Sequence, residues 1–266
     1  MNIIKISAEN AEYQIIKSLK TNRVKRNKLN EAFIEGTECI KQAINAGWEA
    51  TRIIIADRNR LSDWGKNIIN TVQNAKIIEM SEKLFDDLSD KSSPSEMLMT
   101  IKIKRYSTGD IDAKQPFIIV MDRPGDCGNL GSIIRSANAF NADGVLIVGH
   151  GVDLYDSKTI RSSLGSLFFT KTAMLESMDE LLNFISEQKQ KNNIEIIGTD
   201  STGDVSLREC HIKKPVMLVI GNEAKGMSVK LQEVCDRIIR IPMEGNVNSL
   251  NVSCAASILM WEAFKN

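Results

Sequence analysis

Five short aliphatic runs recur through the second half of the chain: FIIVM (117 to 121), VLIVG (145 to 149), IEIIG (194 to 198), VMLVI (216 to 220) and IIRI (238 to 241). Each is apolar almost throughout instead of alternating, so a strand made from it must be covered on both faces. The stretches between them are long enough for helices. Such strands alternating with helices predict an α/β fold with a parallel sheet. The first half reads differently. Residues 11 to 47 carry helical spacing, while RIIIA (52 to 56) and KIIE (76 to 79) carry strand character, which predicts a small α+β domain. Between Tyr106 and Pro116 the segment YSTGDIDAKQP loses periodicity and collects turn formers. We therefore expect one domain over 1–106, a linker over 107–115 and the parallel-sheet domain over 116–266.

A chain of 266 residues can bury two such cores. Lys plus Arg total 34 and so do Asp plus Glu, so no net field announces a nucleic-acid partner and any basic footprint must be local. One candidate exists in Lys17, Lys20, Arg23, Lys25, Arg26 and Lys28, a run with no acidic residue inside it. Such a run suits a phosphate backbone, because each contact releases condensed counterions. A solvated helix face explains it too. The five cysteines form no CxxC pair, and His150 and His211 are the only imidazoles, which argues against a metal site and against a disulfide framework. The opening MNIIKISAENAEYQ lacks the apolar core of a signal peptide, and no stretch reaches the roughly 20 apolar residues of a membrane span. A soluble, cytoplasmic protein is expected.

Three turns rich in glycine and asparagine follow predicted strands. The first, MDRPGDCGNLGSIIRSANAF (121 to 140), is a strand-to-helix turn with glycines spaced GxxGxxG at Gly125, Gly128 and Gly131. Such turns bind anions at free backbone N–H groups. Arg135 falls in the helix beyond, where a surface ion pair or a reach towards a ligand both account for it. The second, GNEAKGMS (221 to 228), places Glu223 at the carboxyl end of a buried strand, the edge where ligands collect in parallel sheets. A helix N-terminal charge would also explain Glu223. The third, IPMEGNVNSLNVSCAASILMWEAF (241 to 264), combines Pro242, Ser249 and Asn251 with a closing helix, and helix capping alone accounts for the last two.

Taken in this order, the three turns resemble the signature of the SpoU, or TrmH-type, RNA ribose methyltransferases of the knotted SPOUT superfamily. The matching residues are Asn129, Gly131 and Arg135, then Gly221, Asn222, Glu223 and Gly226, then Pro242, Ser249, Leu250 and Asn251. IRSSLGSLFF (160 to 169) is similar to the family's Arg-Ser-x-Gly-x-x-Phe segment. RNKLNEAFIEG (26 to 36) and SSPSEMLMTIK (92 to 102) are similar to the ribosomal-protein-like substrate-binding domain of many members. The resemblance implies a sheet whose last third is threaded into a deep trefoil knot, which periodicity could not have suggested. It implies S-adenosylmethionine held by backbone and side chains around Gly221, Asn222, Ile241, Met243 and Leu250. It implies transfer of the methyl group to a ribose 2′-hydroxyl of structured RNA, ribosomal RNA ahead of transfer RNA, by a homodimer without a metal. Lys20, Arg23, Lys25, Arg26 and Lys28 are then the candidate RNA contacts.

For the chemistry, the resemblance nominates Arg135, with Asn129 and Glu223 positioned around it and Ser249 and Asn251 orienting the ribose. A guanidinium stays protonated in essentially all proteins, so we expect Arg135 to act by charge and not as a base. Cys127 lies close by, but transfer to an oxygen requires no thiolate intermediate. A nicotinamide dehydrogenase on a similar sheet would require GxGxxG and a later acid, which are missing. A non-catalytic RNA-binding relative remains the other reading.

Overall fold

In the computed structural model, residues 3–265 are described, and they form two compact units, one of residues 3–104 with 155–168 and the other of 105–154 with 169–265. The first unit runs β1 (Ile3–Ile6), α1 (Ala11–Thr21), α2 (Arg23–Leu29), β2 (Glu31–Glu35), α3 (Thr37–Asn45), β3 (Ala50–Ile55), α4 (Asp63–Thr71), β4 (Lys76–Met80), α5 (Glu82–Leu88) and β5 (Met97–Lys102). Its five strands form one mixed sheet in the order β1-β4-β3-β5-β2. The helical spacing over 11 to 47 hides strand β2. Asn30 adopts a left-handed conformation (φ 54°) that ends α2, and Ala32, Phe33 and Ile34 then enter the core.

The second unit carries the expected parallel sheet. Its strands are β6 (Phe117–Asp122), β7 (Gly144–Val148), β8 (Thr172–Met174), β9 (Glu195–Thr199), β10 (Val205–Ser206), β11 (Val216–Ile220) and β12 (Arg237–Arg240), and its helices are α6 (Cys127–Ala139), α8 (Met178–Asn192), α9 (Val229–Val234) and α10 (Val252–Lys265). All neighbours are parallel, in the order β10-β12-β9-β11-β6-β7-β8. The edge strands β8 and β10, three and two residues long, are too short to show a pattern in the sequence. One face buries Ile118, Val120, Leu146 and Val219 against Leu181, Phe184 and Ile185 of α8. Helices α6 and α10 pack together and bury Ile133, Ile134, Leu259 and Met260. Burial on both sides is the reason the strands read as unbroken apolar runs.

Two segments behave differently from their sequence assignment. Residues 107–115, expected as a linker, belong to the second unit, and so do Arg105 and Tyr106, expected at the end of the first domain: Tyr106 bridges Ala173, and Ile111 is buried against Gly144. Residues 155–168, with helix α7 (Ser157–Ser162), lie between β7 and β8 in the chain but cluster with the first unit. Trp48 Nε1 donates to Phe168 O at 3.0 Å, and Gly165 (φ 83°) lies against the Gln42 side chain.

After β12 the chain returns to form α10 against β11 and α6, crossing back over the sheet order. The turn at 200–204 is pressed on β12. Arg240 Nη1 donates to Gly203 O (2.7 Å) and Asp204 O (3.0 Å). This is the threaded connection that the resemblance implies. A Cβ at Gly203 would stand 2.7–2.9 Å from backbone atoms of Ile238, Ile239 and Arg240, with no flexible side chain to yield. We expect Gly203→Ala to lower stability by about 1–3 kcal/mol, read as a lower thermal midpoint with unchanged far-ultraviolet circular dichroism.

Candidate functional site

The three turns singled out in the sequence converge at the carboxyl ends of the central strands, the edge at which parallel sheets bind ligands. Asp126 caps α6 by accepting the Asn129 N–H at 2.8 Å, which presents the Asn129 side chain to the second turn. There Asn129 Nδ2 donates to Glu223 Oε1 (3.1 Å), and the Gly125 N–H donates to Glu223 Oε2 (2.9 Å). From the third turn, Asn251 Nδ2 donates to Asn129 Oδ1 at 3.0 Å. Asn251 Oδ1 in turn accepts from the Ser253 N–H (2.8 Å) and hydroxyl (2.6 Å) at the start of α10. Glu223, Asn129 and Asn251 therefore form one chain of hydrogen bonds through all three turns.

The second turn is closed by reciprocal backbone bonds between Asn222 and Gly226, at 3.1 and 2.9 Å. It demands glycine twice. Gly226 has φ 64°, and a Cβ at Gly221 would lie 2.5 Å from the Met227 nitrogen. The Asn222 side chain ties it to the first turn, donating from Nδ2 to Arg123 O at 2.7 Å.

Between these turns lies a cavity of about 580 Å³, within the usual range for small-molecule sites. Its walls include all five residues expected to hold the methyl donor, Gly221, Asn222, Ile241, Met243 and Leu250, together with Asn129, Glu223, Ser249 and Asn251. Arg135 is elsewhere. It lies exposed on α6, outside the cavity lining, and its side chain makes no hydrogen bond or ion pair among the described residues. One wall is aliphatic, from Ile220, Ile239, Ile241 and Leu259, and the rim is polar, from Thr199, Asp200, Asn222 and Asn251. That division fits a ligand with a flat heterocycle and a charged tail.

Sequence reasoning missed Asp122. It is fully buried at the end of β6, where its carboxylate accepts from Arg123 Nε (2.8 Å), Arg123 Nη2 (2.9 Å) and the Ser228 N–H (2.6 Å). Arg123 Nη2 also reaches Gly226 O at 3.1 Å. The Asp122 carboxylate holds the Arg123 guanidinium above its ordinary pKa, chiefly through the side-chain hydrogen bond. Arg123 adopts φ 52°, unusual for a side chain of this size, and these bonds keep it there. The signal was one polar residue closing an apolar strand, which looks like any strand end.

The basic run needs a correction. Arg26 is 2 % exposed, and its Nη1 donates to Leu19 O and Lys20 O, both at 2.9 Å, while Nη2 pairs with Asp156 at 3.2 Å. It is a brace inside the first unit and has no surface to offer RNA. Lys20 pairs with Asp90 at 2.7 Å and Lys17 with Asp87 at 2.7 Å. Arg23, Lys25 and Lys28 are exposed. Among the described residues no group of three or more His, Cys, Asp or Glu side chains could hold a metal, and no helix is long and apolar enough to cross a membrane.

Comparison with known proteins places this geometry in context. Residues 116–261 match the SpoU rRNA Methylase family, and residues 10–100 match the SpoU L30e-like domain. A 23S rRNA (uridine(2479)-2'-O)-methyltransferase of Streptomyces viridochromogenes is 33% identical over 264 residues, covering 98% of this chain and 92% of the relative. The crystal structure of the SpoU methyltransferase AviRb from Streptomyces viridochromogenes, in complex with AdoMet, superimposes with a TM-score of 0.90 at 33% identity, covering 97% of this chain and 98% of that one. An AdoMet-bound rRNA methyltransferase from Sinorhizobium meliloti shares the fold at 24% identity, with a TM-score of 0.86 and coverage of 99% and 98%.

Replacing Asp122 by Asn leaves the Arg123 guanidinium without its counter-charge. Hydrogen bonds to charged groups contribute about 1.5–3 kcal/mol each, so we expect Asp122→Asn to lower the unfolding free energy by an amount in that range, read as a lower denaturation midpoint. An unchanged midpoint would show that the pair does not hold the first two turns together.

Proposed function

The chain belongs to the SpoU rRNA methylase family, and from that premise we propose that it transfers the methyl group of S-adenosylmethionine to a ribose 2′-hydroxyl of ribosomal RNA. The observation that carries this reading is the hydrogen-bonded chain from Glu223 through Asn129 to Asn251 beside the cavity. It joins the three turns at the point where a donor and a ribose must meet. The aliphatic wall of Ile220, Ile239 and Leu259 suits an adenine, and Asp200 and Thr199 suit the polar remainder of the donor. Bound there, S-adenosylmethionine supplies an electrophilic methyl group on a sulfonium.

What the protein adds is orientation and charge. Glu223 sets the amide of Asn129, and Asn129 sets that of Asn251, so Asn251 and Ser249 meet the ribose in one fixed arrangement. Arg135 cannot accept a proton. Its guanidinium binds the phosphate beside the target ribose and favours ionisation of the 2′-hydroxyl, whose proton passes to water or to a phosphate oxygen.

Arg135 lies outside the cavity of its own chain, so a second copy delivers it. The helices that carry the contact are α6 and α10, where Phe140, Trp261 and Phe264 cluster with ring centroids 5.8–5.9 Å apart and Ile258 is exposed beside them. An exposed apolar patch of this kind marks an interface. The homodimer works in the cytoplasm, and Arg23, Lys25 and Lys28 of the first unit add RNA contacts.

Incubation with tritiated S-adenosylmethionine and deproteinised ribosomal RNA should label the RNA, and digestion should return the label as a 2′-O-methyl nucleoside. No label in ribosomal RNA, with or without label in a parallel incubation of transfer RNA, would overturn the assignment. Arg135→Lys should keep RNA binding within about twofold while lowering transfer by about tenfold or more, the cost of about 1.4 kcal/mol of lost charge stabilisation; equal loss of both would reject the electrostatic role. Asn129→Ala removes two hydrogen bonds of about 1 kcal/mol each, so kcat/KM should fall by up to about 30-fold, and a lower thermal midpoint with kcat/KM unchanged would reject the orienting role.

A further inference from the structure

Adjoining the donor cavity is a separate cleft of about 400 Å³, lined by Arg123, Pro124, Gly125, His150, Val152 and Lys225 among others. Asn222 lines both, so the two are neighbours. The cleft is a built feature. The Arg123 N–H donates to Val148 O and the Val152 N–H to Pro124 O, both at 2.9 Å, which fastens the turn after β7 to the turn after β6. Two glycines permit the approach: a Cβ at Gly149 (φ 78°) would lie 2.6 Å from Arg123 Cγ, and one at Gly151 would lie 2.8 Å from Pro124 O.

Its electrostatics are one-sided. Arg123, His150 and Lys225 line it, and no carboxylate does. Asp122 and Glu223, which adjoin lining residues in the chain, are already engaged, Asp122 by Arg123 and Ser228, and Glu223 by Gly125 and Asn129. The side chains of His150 and Lys225 are exposed and make no hydrogen bond or ion pair among the described residues, the Lys225 backbone N–H being held by Asn222 Oδ1 at 3.0 Å. Arg123 spends Nε and Nη2 on Asp122 and Gly226, leaving Nη1 unspent. A fixed guanidinium, an imidazole and an ammonium around a cleft form a set of donors for an anion.

We propose that this cleft seats a phosphodiester of the RNA strand flanking the target ribose, bound by Lys225, His150 and Arg123. The inference rests on the methyl-transfer reading for the identity of the strand. The cleft would hold the neighbouring nucleotide in register while Arg135 and the Asn129–Asn251 pair act at the reacting one. Its occupant is distinct from the donor, whose charged tail would occupy the other side of Asn222.

The test uses the full chain with Lys225→Gln, His150→Gln, the double substitution and the charge-keeping Lys225→Arg. Filter binding of deproteinised 23S rRNA across a salt series is the first readout. The double substitution should weaken binding about tenfold and lower the slope of log Kd against log salt by about one, as for one lost phosphate contact, and Lys225→Arg should restore both. Transfer should show a raised KM for RNA with kcat within about twofold, and affinity for S-adenosylmethionine should not change. An unchanged salt slope overturns the proposal, and so does weakened S-adenosylmethionine binding, which would assign the cleft to the donor. If the wild type methylates the RNA but the slope does not respond, the cleft is wrong and the methyl-transfer reading stands. If the wild type binds RNA with the expected response but transfers no label, the reverse holds.

Discussion

The carboxylate of Glu223 is shared between a backbone N–H of the first turn, at Gly125, and a side-chain amide of the same turn, at Asn129. Asn129 has one carbonyl oxygen, and it takes the amide of Asn251 from the third turn. Each of these bonds points one way, because an ionised carboxylate can only accept and an amide oxygen can only accept. The partners are 94 and 122 residues apart in the chain. The cavity is enclosed by the turns that these bonds join, so its shape follows from them.

Beneath this exposed chain lies a buried one. Asp122 is withdrawn from water at the end of β6, and a carboxylate there persists only when its charge is matched and its lone pairs are met. Arg123 and the Ser228 N–H supply both, and Arg123 accepts a left-handed backbone to do so. The same residue lines the cationic cleft with His150 and Lys225, and it braces Gly226, which lines the neighbouring cavity with its aliphatic wall and polar rim. One ion pair, buried on its carboxylate side, thus orders walls of two adjoining sites.

Legibility in the sequence followed the range of the interactions. The central strands were readable because a strand buried on both faces shows as an apolar run regardless of what covers it. Strand β2 was not, since Glu31–Glu35 sits between helices and only the left-handed Asn30 separates it from α2. The segment 155–168 was assigned to the wrong neighbours: its contacts with Trp48, Cys39 and Arg26 span 120 to 130 residues, and nothing local encodes them. The basic run failed at Arg26 for a related reason. Charge can be counted in a sequence, but which face of a seven-residue helix turns inward depends on what packs against it.

By itself the sequence determined the parallel α/β architecture of the second half, the place of three special turns and the residue types within them. Those properties rest on apolar continuity along strands and on the local conformational demands of glycine and asparagine. Tertiary structure alone decided that Glu223, Asn129 and Asn251 meet, that Asp122 anchors the turns from below, that Arg26 is a brace and that Arg135 stands outside the cavity of its own chain. The physical reason is strand order. The sheet runs β10-β12-β9-β11-β6-β7-β8, an order in which neighbours in space are seldom neighbours in sequence, so hydrogen-bond partners are chosen by the threading of the chain and not by any pattern within it.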